Sequence, residues 1–318
     1  MSNLNDLPKS PVTGNDNVRL IDTFAVSDIV KLYREQENLE VEKYFRHGDA
    51  VYLMECQDVG YRFFYPFEIA GDEDFYKNIQ KEVEKRGEEY DRNWSDDHQF
   101  AFEQIKTDEK ILEIGCNTGK FLRKAAEKTK HTQGLEFNLA AQQVAKQNGL
   151  NVLNESIAEH AEKFENYYDI VCAFQVLEHI TDIQPFLTAA LKALKPNGKL
   201  IFSVPDSEPF FQRFSKYEVL NLPPHHVGLW NLKAFQRLCK FYDMKLIEHN
   251  YSGQTSLQGD VYLRAKYWAN VKSLPRRHTT FEKLQIYSLA PFALLGNGLD
   301  YLAGKSNYAH ISVAFSKK

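Results

Sequence analysis

Two short segments of the sequence place acid–base side chains next to each other. Glu178 is followed by His179, and two prolines are followed by His225 and His226. An imidazole has an ordinary pKa near about 6.5 and can take a proton at neutral pH, and a carboxylate can also act as a base. These four residues are the candidate catalytic residues, with His226 preferred because it lies nearer to the next predicted helix. The alternative is structural: the histidine pair caps that helix or lies on the surface.

A third segment has the composition of a nucleotide-binding turn. An apolar strand runs into Gly115-Cys116-Asn117-Thr118-Gly119, and a helix is predicted to begin near Lys120. Small residues let the backbone approach a ligand at a helix N-terminus. The dinucleotide pattern G-x-G-x-x-G would need glycine at 117 and 120, which are asparagine and lysine. A phosphate loop would need Ser or Thr where Phe121 stands, so neither phosphate-binding pattern fits.

The elements that must position these segments alternate between β-type and helical runs from about residue 110. This alternation indicates a parallel sheet covered by helices on both faces. Glu178 and His179 follow the fourth strand, at the carboxyl edge where such sheets bind ligands. Seven strands are predicted, at residues 110–114, 132–136, 151–154, 168–173, 199–204, 244–249 and 310–315.

Two parts of the chain stand outside this alternation. Residues 1–105 are predicted to form an N-terminal subdomain or lid, with an aromatic strand at 61–65 and a charged helix at about 82–90. The main domain then covers residues 106–318, with an insert at about 253–306 before the last strand. The insert carries an apolar stretch that Pro291 and two glycines interrupt. Because it is shorter than the roughly 18 residues of a membrane span, it is predicted to be a buried or lid helix pair.

The glycine turn resembles a known motif. Leu112-Glu113-Ile114-Gly115-Cys116-Asn117-Thr118-Gly119 is similar to the first motif of class I S-adenosylmethionine-dependent methyltransferases, E-x-G-x-G-x-G. Asn117 replaces the middle glycine, and asparagine adopts left-handed backbone conformations more readily than other non-glycine residues. Glu136 resembles the acidic residue that holds both ribose hydroxyls of the cofactor, since a carboxylate accepts two hydrogen bonds from a diol.

Further motifs of this family follow in order. Residues 168–179 resemble its fourth-strand motif, and residues 194–200 resemble its L-K-P-G-G-x-L turn with Asn197 in place of the first glycine. The resemblance implies an α/β fold with a seven-stranded Rossmann-like sheet and S-adenosyl-L-methionine as cofactor. Ser156 and Ile157 stand where the family contacts the adenine amine and ring. The implied cofactor-binding residues are Glu113, Gly115, Cys116, Asn117, Gly119, Glu136, Phe137, Ser156, Ile157 and Phe174.

The segment that contains the paired histidines also points to a substrate class. Residues 221–230 resemble the P-P-H-H-x-x-x-W segment of bacterial methyltransferases, many of which modify sugars and glycans. This resemblance implies O-methylation of a small polar acceptor such as a sugar or nucleotide sugar. The alternatives are N- or C-methylation of a natural-product metabolite, and a non-catalytic, methyltransferase-like binding subunit. The last would be expected to have lost Glu136 or the glycine turn, and the sequence keeps both.

No metal is expected from the sequence. Residues 56–60 resemble the C-x-x-C-G zinc knuckle that precedes many glycan methyltransferase domains, and residues 10–14 resemble its upstream half. Ser10 and Val59 replace cysteines, and because a structural zinc needs four ligands, the knuckle is predicted to have lost its metal. Some relatives that methylate polyprenyl phenols carry E-x-x-E-H, but here the first position is Gln175, a poor ligand for hard metals.

Composition excludes several classes of partner. The 318 residues include 39 Lys plus Arg and 43 Asp plus Glu, a net charge of -4 that provides no global attraction to nucleic acid or anionic membranes. Four cysteines without paired spacing argue against a disulfide framework. The polar N-terminus predicts no secretory signal, and no apolar run is long enough to span a bilayer. We therefore expect a cytoplasmic location, a small-molecule acceptor, no nucleic acid and no stable membrane insertion.

Overall fold

The computed structural model describes residues 7–85, 94–207, 219–254, 257–269, 271, 279–302 and 308–318. The strands are β1 (Val18–Ala25), β2 (Ala50–Cys56), β3 (Tyr61–Tyr65), β4 (Ile111–Ile114), β5 (Thr132–Leu135), β6 (Val152–Leu153), β7 (Tyr168–Phe174), β8 (Leu194–Pro205), β9 (Gly228–Leu229), β10 (Met244–Gln254) and β11 (Tyr308–Lys317). The α-helices are α1 (Val26–Glu37), α2 (Glu73–Lys85), α3 (Asp96–Glu103), α4 (Lys120–Ala125), α5 (Leu139–Gln147), α6 (Ile157–Lys163), α7 (Ile183–Ala193), α8 (Leu232–Leu238), α9 (Leu257–Trp268) and α10 (Thr280–Leu302).

Seven strands form one mixed sheet in the order β10-β11-β8-β7-β4-β5-β6. The five strands from β8 to β6 are parallel, and β11 is antiparallel to both of its neighbours. All four residues of β4 are buried, as expected for a parallel strand with helices on both faces. The predicted α/β fold with a seven-stranded Rossmann-like sheet is confirmed.

Strand β8 begins five residues earlier than predicted. Tyr168 pairs with Leu194, and the next paired residues are Ile170 and Lys199, so the residues between Leu194 and Lys199 form an irregularity inside the strand. Asn197 lies in this irregularity with φ 61°. A left-handed conformation is tolerated by asparagine, which explains how it can replace glycine at this turn.

A second sheet has the order β1-β2-β3-β9 and is antiparallel throughout. The aromatic strand predicted at 61–65 is β3, and its partner β9 comes from far along the chain, two residues after His226. The charged helix begins at Glu73, earlier than predicted, and residues 86–93 lie outside the described residues. The N-terminal sheet is thus completed by the segment that carries the histidine pair.

The insert between β10 and β11 is helical, as predicted, and contains α9 and α10. The prediction that its apolar stretch forms a helix pair is wrong, because the whole stretch lies in α10. Helix α10 runs continuously through Pro291 and both glycines. A Cβ at Gly296 would lie 1.9 Å from the guanidinium of Arg264, so glycine here permits close packing against α9. The expected burial is only partial, because large apolar side chains of α10 are exposed, among them Phe281, Leu284, Tyr287, Phe292, Leu295 and Leu299.

None of the helices among the described residues is both long enough and apolar enough to cross a membrane.

Candidate functional site

The glycine turn between β4 and α4 has three left-handed residues. Gly115, Asn117 and Gly119 have φ angles of 72°, 47° and 79°. Left-handed backbone is easy for glycine and accessible to asparagine. The left-handed conformation predicted for Asn117 is therefore confirmed, and the turn keeps its shape without the middle glycine.

The backbone N–H groups of this turn are mostly used inside the protein. Those of Gly115 and Cys116 donate to the carbonyl of Leu135, at 2.8 and 3.1 Å, and that of Gly119 donates to the carbonyl of Cys116, at 2.8 Å. A phosphate would need such groups pointing at it. The turn is thus poorly suited to phosphate, in agreement with the sequence.

Glu136, just after β5, supplies the carboxylate. Its Oε2 accepts a hydrogen bond from the Asn117 N–H at 2.9 Å, and its Oε1 accepts one from the Asn138 N–H at 2.7 Å. These bonds fix the carboxylate against the turn, and each oxygen retains a further acceptor position. Two acceptor positions on a fixed carboxylate fit the two hydroxyls of a ribose.

Two apolar side chains that follow Glu136 in the chain are open to solvent. Phe137 is 60% exposed and Leu139 is 66% exposed. Asn138 between them is the N-cap of α5, its side chain accepting from the N–H groups of Ala140 and Ala141. The cap holds this segment in place, and the exposed faces offer apolar surface next to the Glu136 carboxylate, where an adenine ring could pack.

Other residues predicted to bind cofactor have side chains turned into the protein. Glu113 is 4% exposed and Cys116 is 3% exposed. Burial, with Glu113 and Glu136 nearby, raises the pKa of the Cys116 thiol, so the thiol stays neutral. At Cys116 the backbone, and not the side chain, is therefore available to contact a ligand at the turn.

The remaining predicted cofactor residues have clear structural roles. Ser156 is the N-cap of α6 in a capping box with Glu159, and Ile157 is 5% exposed in the main core cluster. Phe174 packs on the rings of His98 and Phe121, with centroids 4.8 and 4.9 Å away. Their contacts with the cofactor stay predictions.

The candidate catalytic residues do come together. The rings of His179, His225 and His226 have centroids 4.4 to 5.0 Å apart. Glu178 is 1% exposed, and its Oε1 lies 3.9 Å from Nε2 of His179. Burial, together with His225, lowers the pKa of His179 to about 3, so this imidazole is neutral at physiological pH.

Two tyrosines from the N-terminal part hold the histidines, and the sequence analysis missed both. The Tyr76 hydroxyl of α2 donates to the His225 carbonyl at 3.1 Å and lies 3.0 Å from Nδ1 of His179. The buried Tyr33 hydroxyl of α1 accepts from the His225 N–H at 3.2 Å and contacts the carbonyl of Leu222 at 2.8 Å. No local pattern marks these tyrosines, because their partners lie over 100 residues away.

The capping role considered for the histidine pair is wrong. Helix α8 has Asn231 as its N-cap, with the side-chain oxygen accepting from the Ala234 N–H at 2.7 Å. His226 is 7% exposed, so it does not lie on the surface either. His226 is buried and His225 is half-buried, and both rings pack against the ring of His179.

The glycine turn and the histidine cluster are neighbours through the loop after β7. A Cβ at Gly115 would lie 2.7 Å from Cγ2 of Val176, and Glu178 and His179 follow two and three residues later. Gln175 in the same loop has φ 56°. Strained non-glycine residues often occur at functional sites, and this one lies between the turn and the cluster.

We predict that Gly115→Ala destabilises the protein by about 2–4 kcal/mol. The left-handed backbone costs alanine about 1–2 kcal/mol, and overpacking against Val176 adds about 1–2 kcal/mol. Gly149→Ala is the matched control, because Gly149 has φ 77° but nothing within 4 Å of its Cβ position. Denaturant unfolding should show a larger loss for Gly115→Ala than for Gly149→Ala. Equal losses would mean that Val176 does not restrict the turn.

The two turns that resemble a zinc knuckle face each other. Thr13 Oγ1 lies 3.7 Å from Cys56 Sγ, and Asn15 donates to Asp58 at 2.8 Å. Ser10 is 2% exposed and Val59 is 0% exposed. This arrangement supports a knuckle held by packing and hydrogen bonds; the absence of zinc there stays a prediction.

We expect Cys56→Ala to leave the zinc content of the purified protein unchanged. One thiolate beside Ser10, Thr13 and Val59 cannot supply four ligands. Elemental analysis of wild type and variant, prepared in parallel, measures this. Loss of one zinc per chain in the variant would contradict the prediction.

The strand order, the left-handed turn and the carboxylate after β5 define a class I S-adenosylmethionine-dependent methyltransferase. A family model described as "Methyltransferase domain" matches residues 86–249, just over half of the chain. The chain belongs to this methyltransferase-domain family, whose methyl donor is S-adenosylmethionine.

The relatives with names match a smaller part of the chain. The chain is 31% identical over 100 residues to a ubiquinone biosynthesis O-methyltransferase of Erwinia tasmaniensis, a match over 30% of this chain and 41% of that protein. It is 33% identical over 100 residues to the protein of the same name from Escherichia fergusonii, covering 30% and 42%. The chain thus spans about two fifths of the length of these relatives. A SAM-dependent methyltransferase structure from Archaeoglobus fulgidus covers 77% of this chain and 100% of its own, with 13% identity and a TM-score of 0.48.

Proposed function

We propose that this protein transfers a methyl group from S-adenosylmethionine to a hydroxyl oxygen of a small polar acceptor. The observation that carries the proposal is the cluster of His179, His225 and His226 next to the loop that contacts the glycine turn. The cofactor supplies an electrophilic methyl group on a sulfonium. An acceptor hydroxyl must lose a proton, and a group of imidazoles at this place supplies the base that an O-methyltransferase needs.

The surroundings of each residue determine its proposed role. Glu136 binds and orients the cofactor ribose through a carboxylate that the Asn117 and Asn138 N–H groups fix. His179, with a pKa lowered to about 3, is a weak base at neutral pH. His226 or His225 is therefore the better proton acceptor, and the cluster orients the hydroxyl because proximity supplies much of the rate in methyl transfer.

For the acceptor we propose a saccharide or nucleotide sugar, on the resemblance of residues 221–230 to sugar-type methyltransferases. The names of the two relatives favour a second class of acceptor, a hydroxyl on an intermediate of ubiquinone biosynthesis. N- and C-methylation use the same cofactor turn, but neither gives a reason for three imidazoles. A non-catalytic subunit would not need to keep the Glu136 carboxylate fixed against a left-handed glycine turn. We further propose that the protein acts in the cytoplasm, without nucleic acid.

Release of S-adenosylhomocysteine in the presence of saccharides, nucleotide sugars, phenols and amines tests the proposal. We expect turnover with an acceptor that carries a free hydroxyl, and none when that hydroxyl is already methylated. Turnover with an amine alone would replace the O-methylation proposal by N-methylation. If calorimetry on folded protein detects neither S-adenosylmethionine nor S-adenosylhomocysteine binding, the proposal fails at its first step.

A further inference from the structure

Helix α10 exposes one continuous apolar face to solvent. Six large apolar side chains of this helix are each 62–70% exposed: Phe281, Leu284, Tyr287, Phe292, Leu295 and Leu299. At about 3.6 residues per turn, these six positions lie within an arc of about 140°, which we call the apolar face of α10. With about 150–250 Å² for each aromatic side chain, the face presents on the order of 700 Å². The largest apolar patch of a typical monomer is about 300–600 Å² and often functional, so this face marks an interaction surface.

The opposite side of α10 is covered by α9. Ile286 and Ala293 are 2% and 0% exposed, and they form a small core cluster with Ala265 of α9. Both positions lie about 180° around the helix from the centre of the apolar face. A surface helix is normally apolar only on its packed side, whereas a helix that is apolar all round needs cover on every side. The packing on α9 therefore accounts for one side of α10 and leaves the apolar face to another partner.

The insert that contains α10 differs in charge from the rest of the chain. Residues 253–306 include 7 Lys plus Arg and 3 Asp plus Glu, a net charge of +4. The remaining residues include 32 Lys plus Arg and 40 Asp plus Glu, a net charge of -8. Lys283 is exposed and lies one helical turn before Tyr287, at the border of the apolar face. The partner is therefore expected to be both apolar and negatively charged.

The insert begins and ends at the edge of the sheet that carries the candidate site. Gln254 at the end of β10 pairs with Tyr308 at the start of β11, and His310 pairs with Pro205 at the end of β8. Strand β8 is parallel to β7, and Glu178 follows β7 in the chain. Both ends of the insert thus lie at the carboxyl edge of the parallel strands.

Backbone hydrogen bonds connect the insert to the segment of the histidine pair. The Asp206 N–H donates to the carbonyl of Ala309, at the end of the insert, at 3.0 Å. The next N–H, that of Ser207, donates to the carbonyl of Trp230 at 2.6 Å. Trp230 follows His226 by four residues. Two consecutive residues after β8 therefore contact the end of the insert and the segment that carries the candidate base.

We propose that the apolar face of α10 docks this protein on an anionic membrane surface. The exposed aromatic and leucine side chains enter the boundary between headgroups and acyl chains, as those of interfacial helices do. The basic residues of the insert face the anionic headgroups, which attract Lys and Arg near the surface. The helix lies in the plane of the membrane and does not cross it.

A second copy of the chain fits this face less well. A dimer built on α10 would bring two inserts of net charge +4 together, and like charges repel. An anionic lipid surface complements the apolar face and the positive charge at once.

Docking also narrows the class of methyl acceptor, and this step rests on the proposed function. Because the insert and the candidate site share one edge of the sheet, docking holds that edge near the lipid surface. A hydroxyl on a lipid-linked saccharide, or on another lipid-borne molecule, is then close to the histidines. A water-soluble nucleotide sugar gains nothing from docking, so the expected acceptor is lipid-borne.

Flotation of the full-length protein with vesicles tests the docking surface. One set of vesicles contains phosphatidylcholine and phosphatidylglycerol, and the other contains phosphatidylcholine alone. We expect the protein to float with the vesicles that contain phosphatidylglycerol and much less with the neutral ones. The floating fraction should fall as the salt concentration rises, because salt screens the attraction between exposed charges.

Paired variants at exposed positions separate the apolar and the charged contributions. Leu295→Gln should weaken vesicle binding about tenfold, whereas Leu20→Gln changes a leucine of β1 that is 46% exposed and should bind like wild type. Lys283→Gln should weaken binding to anionic vesicles about fivefold. Lys31→Gln, at an exposed lysine of α1, should leave it unchanged. Thermal unfolding shows that each variant is folded.

Three results would overturn the docking surface. The first is folded wild type that does not float with anionic vesicles. The second is flotation of Leu295→Gln and Lys283→Gln at the wild-type level. The third is a wild-type dimer in analytical ultracentrifugation that Leu295→Gln dissociates, because a second copy would then cover the apolar face.

The docking surface and the proposed function fail in different ways. Vesicle binding by a protein that binds no S-adenosylhomocysteine in calorimetry would keep the surface and remove the methyltransferase proposal. Release of S-adenosylhomocysteine with soluble acceptors, by a protein that binds no vesicles, would do the reverse. When acceptors are supplied both in solution and in phosphatidylglycerol vesicles, turnover should come from a vesicle-borne hydroxyl. Turnover confined to soluble acceptors would contradict the lipid-borne class.

Discussion

Replacing His226 by alanine lowers turnover on the true acceptor by about 10²- to 10⁴-fold, the usual effect of removing a positioned base. His225→Ala is expected to act in the same direction, because the two rings stack with centroids 4.4 Å apart. The affinity for S-adenosylhomocysteine should hardly change, since neither residue belongs to the glycine turn or to the segment around Glu136. Single-turnover kinetics and calorimetry on the same preparations measure the two effects separately.

The controls for this prediction come from the same protein. His131→Ala, at an exposed position away from the cluster, should retain full activity. If both His225→Ala and His226→Ala stay near wild-type activity, the segment that carries the two histidines has only a structural role. Glu178 or His179 then becomes the next candidate for the base. If cofactor affinity collapses instead, the loop packs against the nucleotide and the assigned division of roles is wrong.

Replacing Glu136 by alanine weakens cofactor binding by about 1–3 kcal/mol, the cost of lost hydrogen bonds to a charged acceptor. This corresponds to about a 5- to 150-fold higher Kd. The change also removes the acceptor for the Asn117 N–H, so part of the loss comes from a looser turn. Calorimetric titration with S-adenosylhomocysteine gives the Kd directly.

Two further variants separate these contributions. Glu136→Gln keeps one acceptor oxygen and the side-chain shape, so its Kd should fall between those of wild type and Glu136→Ala. Glu127→Ala changes an exposed carboxylate that lies 2.7 Å from Nζ of Lys124, and this variant should bind the cofactor like wild type. An unchanged Kd in Glu136→Ala would mean that the ribose is bound elsewhere.

Much of the main sheet could be predicted from local pattern. Buried parallel strands such as β4 are short apolar runs, and the helices between them show apolar spacing that only an amphipathic helix satisfies. The glycine turn was predictable for a similar reason, because left-handed backbone favours glycine and, among other residues, asparagine. The position of this turn at the carboxyl edge of the sheet then follows from the parallel strand order alone.

Some departures from the predicted elements have local physical causes. Helix α10 continues through Pro291 and Gly296 although both residues are typical helix breakers. At Gly296 the close approach of Arg264 of α9 gives a reason: packing between the two helices favours a residue that an isolated helix would disfavour. The sequence pattern contains no information on such a tertiary contact.

Local pattern in the sequence was therefore enough to predict the sheet, the left-handed glycine turn and four candidate acid–base residues. The folded chain was needed to show that three histidines share one cluster, because His179 is separated from His225 and His226 by over 40 residues of chain and meets them through loops. Tyr33 and Tyr76 hold that cluster from helices of the N-terminal part, and β9 ties it to the N-terminal sheet. Side-chain hydrogen bonds between distant segments leave no periodic trace in the sequence, so the environment that sets the chemistry of these histidines appears only in the folded chain.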